Sequence, residues 1–174
     1  MEYSFKPEVW HQVFVILGSS SAGLIGLLFI AASLQAKAIA SNPVFYRRAF
    51  NNSCFLLIIL TQSLLVLIPQ PIQILGAEVV AINIVGLWLP IRFVYGFFEN
   101  EEVFRRGGGS FYLAAIFSVI LLLGITGGIA LIGHLNWGMY LVAASCFFLL
   151  VRVVLAAWSI LAGVGELEKT SKTK

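Results

Sequence analysis

Among the polar side chains inside the apolar runs of this sequence, where each polar group must have a reason, seven could carry chemistry. Glu78, Asn83, Gln62, Ser20 and Ser21 form one set, and Arg92 and Arg152 form another. A carboxylate flanked by amides and hydroxyls suits a polar cavity for a cation or a small solute. Two arginines at matching depth suit an anion, since the guanidinium fork fits phosphate and carboxylate alike. Each set also has a plainer reading. Amides and hydroxyls tie helices together in lipid, Glu78 can reach the nearer interface, and long cations extend their heads to the headgroups. Pro90 stands between Asn83 and Arg92, four residues after Gly86. A proline there cannot donate to the Gly86 carbonyl and kinks the helix, which makes Gly86 and Pro90 a candidate hinge.

Enzyme chemistry has little support. The run "GSSSAG" (18–23) offers three serines, but a nucleophile needs a base beside it, and the only histidines are His11 and His134. Along a helix His11 is ~12 Å from Ser19, too far for proton transfer. Cys54 and Cys146 sit in apolar runs without metal-ligand spacing and read as small buried hydrophobes. "RRGGGS" (105–110) lacks the lysine and spacing of a phosphate loop. We expect no catalytic residue, no metal and no cofactor.

The elements that position these groups follow from composition. Of 174 residues, 60% are hydrophobic and 11% charged, with mean hydropathy +0.97. Soluble domains carry about 25% charged residues, and a core this small could not hide so much apolar surface, so the expected solvent is lipid. The net charge of +3 is modest, and no basic stripe interleaves with aromatics, which argues against nucleic acid. The first apolar run exceeds a signal-peptide core, so no removable leader is expected.

A helix needs about 20 mostly apolar residues to cross the hydrocarbon. Five stretches qualify, at about 13–34, 45–68, 74–98, 111–132 and 138–164, forming one all-α bundle within 1–165. "SNP" (41–43) gives an N-cap and then proline at the first helical position, so the second helix starts near Pro43. "PQP" (69–71) and "GHLNWG" (133–138) are tight turns, and 166–174 is a polar tail. Five spans place Lys37, Arg47, Arg48, Arg105, Arg106, Lys169, Lys172 and Lys174 on one side, against Lys6 alone on the other. By the positive-inside rule the N-terminus lies outside and the C-terminus in the cytoplasm. Trp137 and Trp158 are ~31 Å apart along a helix, close to the ~30 Å hydrocarbon thickness, and mark opposite interfaces.

Small residues recur at helical spacing in Gly18, Ala22 and Gly26, and again in Gly124 and Gly128. Such stripes let helices approach closely and favour self-association. The segments "GSSSAGLIGLLFIAASL" (18–34), "RRAFNNSCFLLIIL" (47–60), "SLLVLIPQ" (63–70) and "AAWSILAGVGE" (156–166) together resemble a family of small bacterial inner-membrane proteins of unassigned activity. The resemblance implies a multi-pass helical protein of the bacterial inner membrane and brings no catalytic residue with it. The expected function is non-enzymatic. The leading reading is an oligomeric pore or small-solute or ion pathway with Glu78, Asn83 and Gln62 outside and Arg92 and Arg152 inside. The alternative is an accessory or regulatory subunit that binds a larger membrane protein, with "ENEEVFRRGGG" (99–109) as its docking loop.

Overall fold

A computed structural model describes residues 7–34, 43–98 and 108–172. Within them the regular elements are five helices, α1 (Pro7–Leu34), α2 (Pro43–Leu67), α3 (Ile72–Phe98), α4 (Gly108–Ile132) and α5 (Gly138–Lys172). Proline opens both α1 and α2, where its missing N–H has no intrahelical partner to lose and its fixed φ is already helical. Helix α5 runs on past Gly165 into the polar tail, to Lys172. Four helices carry stretches long and apolar enough to cross a membrane, namely Val9–Ser33, Ala49–Leu67, Ala114–Ile132 and Gly138–Trp158. The apolar part of α3, Ile72–Trp88, is shorter, although its helix continues through Pro90 to Phe98.

The helices pack in chain order, α1 on α2, α3 on α4 and α4 on α5, with α2 and α5 also in contact and α1 touching α5. On α5 the buried hydrophobic residues are Met139, Val142, Cys146, Leu149 and Val153. Their alternating steps of three and four make a narrow seam that meets Phe55, Leu56 and Ile59 of α2 and Phe14 and Leu17 of α1 in one core.

Two glycine pairs set the closest approaches. A Cβ on Gly76 would lie 2.7 Å from the Gly128 carbonyl oxygen, and one on Gly138 would lie 2.7 Å from that of Gly127. The first pair joins α3 to α4, and the second brings the start of α5 against α4. In the turn between α4 and α5, His134 has φ 59°. Its N–H donates to Leu131, and the Leu135 N–H donates to Ala130 at 2.9 Å. That pairing is the Schellman ending, with His134 in the left-handed position usually held by glycine. Gly133 stands one residue too early to take it.

Candidate functional site

At the end of the bundle formed by the turns 68–71 and 133–137, polar groups bond in pairs. Gln70 Nε2 donates to Glu78 Oε2 at 2.7 Å and to the Leu65 carbonyl at 3.3 Å. Leu65 lies in the last turn of α2, where carbonyls lack intrahelical donors. Gln70 therefore caps α2 while fastening Glu78, one and a half turns into α3, to the loop. The Nε2 atoms of Gln73 and His134 are 2.6 Å apart, joining α3 to the α4–α5 turn. Trp10 meets the Tyr140 ring edge-on, centroids 4.7 Å apart. Beside them opens a cleft of about 680 Å³, lined in part by Trp10, His11, Gln12, Gln70, Leu75 and Met139. Of its lining, Leu75 and Met139 are buried and His11 and Gln12 are exposed.

Deeper in the bundle, the polar side chains bond helix to helix. Ser21 Oγ donates to the Leu56 carbonyl at 2.6 Å, joining α1 to α2. The Cys146 thiol donates to Gln62 Oε1 at 3.0 Å, joining α5 to α2. Ser145 Oγ donates to the Ile120 carbonyl at 2.8 Å, joining α5 to α4. Asn83 Nδ2 donates within its own helix to Val79 at 2.8 Å. The Asn83 amide lies where a Cβ on Gly124 would stand, so Gly124 makes room for it. Gly18 similarly faces Ser63, at 3.1 Å from an added Cβ to the Ser63 Cβ.

The third polar locus lies at the other end of the seam. The Arg152 guanidinium sits 5.7 Å from the Phe117 ring centroid, and Phe117 stacks on Phe55 at 4.2 Å and 7°. Arg152 Nε is buried without a hydrogen-bond partner, and so is Asn52 Nδ2, one turn from Phe55 on α2. The only carboxylate among the described side chains, Glu78, is at the opposite end of the bundle, bonded to Gln70.

The sequence-predicted residues thus separate. Gln62, Asn83 and Ser21 are each at most 1% exposed and do not line the cleft, while Ser20 is exposed and Glu78 half-buried. Gly86 is buried against Ile58 and Leu121 and serves close packing. Gly128 packs on Val80, whereas Ala22 and Gly26 are exposed, with nothing within 4 Å of a Cβ on Gly26. The side chains of Arg92 and Pro90 and the loop 99–107 lie outside the described residues. Sequence reasoning missed Gln70, Cys146, Phe117 and Asn52. Only "PQP" and "NNS" hinted at two of them, since a stack of phenylalanines has no signature in a chain with 14. No three histidine, cysteine or acidic side chains gather among the described residues as metal ligands would. Comparisons with protein-family models, with curated proteins and with solved structures returned no match for this chain.

Proposed function

We propose that the chain is a non-enzymatic, five-span protein of the bacterial inner membrane, N-terminus outside, acting as an accessory or regulatory subunit of a larger membrane protein. The orientation is supported by the eight basic residues that five spans would place on the C-terminal side. The observation that favours a subunit over an oligomeric pore is the use made of the intramembrane polar groups. Ser21 and Gln62 hold this chain's own helices together, and Asn83 is buried against Gly124. A pathway between copies needs polar groups on the outer face. Apart from Ser20, and from Ser19, Thr61 and Thr126, whose hydroxyls bond back to their own helices, that face carries large apolar side chains such as Ile16, Phe29, Leu57, Val85, Val119 and Phe147.

Gentle extraction of the tagged, full-length protein in native membrane discs tests this reading. A second polypeptide in fixed stoichiometry is the expected result. A pure homo-oligomer that conducts ions or solutes in liposomes, with flux altered by Glu78→Gln, would return the pore reading to first place.

A further inference from the structure

We infer that the patch around Arg152 is a docking site for a partner's transmembrane helix bearing a carboxylate at the same depth. The inference rests on the accessory reading and gives it an anchor. A guanidinium keeps its charge, and placing one within a span costs free energy unless an acceptor meets it. Here the buried Nε has none.

The register of the bundle shows where the charge lies. Ser145 on α5 bonds Ile120 on α4, and the two helices run antiparallel. From that level Arg152 is seven residues along α5, ~10 Å, toward the Trp158 end. Phe117 is three residues along α4 in the same direction, ~4–5 Å. The guanidinium packs over the Phe117 ring, and side chains tilt toward their helix N-terminus, which for α5 is the end far from Trp158.

Depth then selects the ligand. The Arg152 Cα is ~9 Å inside Trp158 along the helix, and Trp158 is 74% exposed, as an interfacial anchor should be. A lipid phosphate stays at the headgroups, above this level, whereas a carboxylate on a helix can sit at any depth. The surroundings suit a helix too. Phe148 and Leu155, one turn either side of Arg152, are 53% and 57% exposed, so the cation is flanked along its own face by apolar side chains. Nε is closed off, but the residue as a whole is only partly buried.

The test uses full-length protein in phosphatidylcholine nanodiscs and synthetic leucine-alanine transmembrane peptides, with association read by energy transfer. A peptide with one glutamate at the matching depth should bind roughly tenfold more tightly than the same peptide with leucine there. Arg152→Ala should erase the difference, and Arg152→Glu should transfer the preference to a lysine peptide, a rescue that a misfolded variant would not give. Equal binding of the glutamate and leucine peptides overturns the inference. So does displacement of the glutamate peptide from the wild type by phosphatidylglycerol, which would assign the site to lipid phosphate. The reading beneath it fails separately. A stoichiometric partner retained by Arg152→Glu leaves the accessory role standing and removes this anchor, whereas absence of any partner removes the role itself.

Discussion

The α3–α4 contact allows a quantitative test of how tightly the bundle is packed. A Cβ at Gly128 would lie 2.7 Å from Val80 Cγ2, 2.9 Å from the Gly76 carbonyl oxygen and 3.2 Å from the Val80 nitrogen. Two of these three atoms are backbone, so rotamer change cannot clear them. Restoring ordinary contact requires the helices to part by ~0.5–1 Å, a gap that forfeits a quarter to a half of each pairwise attraction across the seam. Overpacking of this kind costs ~1–3 kcal/mol. Against it stands the helix-forming advantage of alanine over glycine, ~0.8–1.0 kcal/mol. Gly128→Ala should therefore lose about 1–2 kcal/mol net, the upper part of the clash range applying because backbone must move. Gly26 is the matched control, since nothing lies within 4 Å of its added Cβ, and Gly26→Ala should be neutral or up to ~1 kcal/mol stabilising. Reversible unfolding in mixed micelles, followed by tryptophan fluorescence, reads both. If Gly128→Ala is as stable as wild type, or if both variants lose equally, the close α3–α4 approach is refuted.

Three further outcomes follow from the polar contacts. Ser21→Ala should cost ~0.5–1.5 kcal/mol through loss of the bond to Leu56, whereas Ser20→Ala should stay within the ~0.5 kcal/mol of surface changes; equal effects would contradict the assigned faces. Gln62→Ala and Cys146→Ala should couple by ~0.5–1 kcal/mol in a double-mutant unfolding cycle, and simple additivity would show that the thiol–amide bond is not formed. Glu78→Leu should raise hydrogen exchange in the 68–71 turn, while Glu78→Gln, which keeps an oxygen for Gln70, should resemble wild type. An equal rise in both would mean that the charge of Glu78, rather than its acceptor, holds the turn.

Helix number, the turns at 69–71 and 133–138 and the start of α2 at Pro43 were legible because they rest on long apolar runs and local punctuation. Helix faces were not. In water a buried face is read against a polar one, but here the lipid face is as apolar as the core: Phe55 is buried and Phe50 exposed, Leu121 buried and Leu122 exposed. The small-residue stripe of α1 is divided in the same way. Gly18 packs on Ser63, but Ala22 and Gly26 continue onto an open face, because spacing shows that a close approach is possible and not which neighbour makes it. The α4–α5 turn shows a different limit. Glycine is the sequence signal for a left-handed helix end, yet His134 takes that position and bonds Gln73 from it, a tertiary contact that local propensity does not encode.

That distinction decides how the intramembrane polar groups should be read. Judged from sequence, each of them is a candidate functional locus or a tie between helices, because an unsatisfied polar group in hydrocarbon is costly. The cost, however, is removed equally well by a partner inside the chain. Ser21, Gln62 and Glu78 have such partners in Leu56, Cys146 and Gln70, and their energetic demand is met by folding itself. Asn83 has one for its amide nitrogen, and its oxygen, though without a donor, is enclosed by the Gly124 contact, where nothing larger can enter. Arg152 differs in carrying a full charge. Its Nε has no acceptor, the one carboxylate among the described side chains is at the far end, and the residue is only partly buried. A demand that folding leaves unmet has to be met by association, and at this depth the molecule available to meet it is another helix.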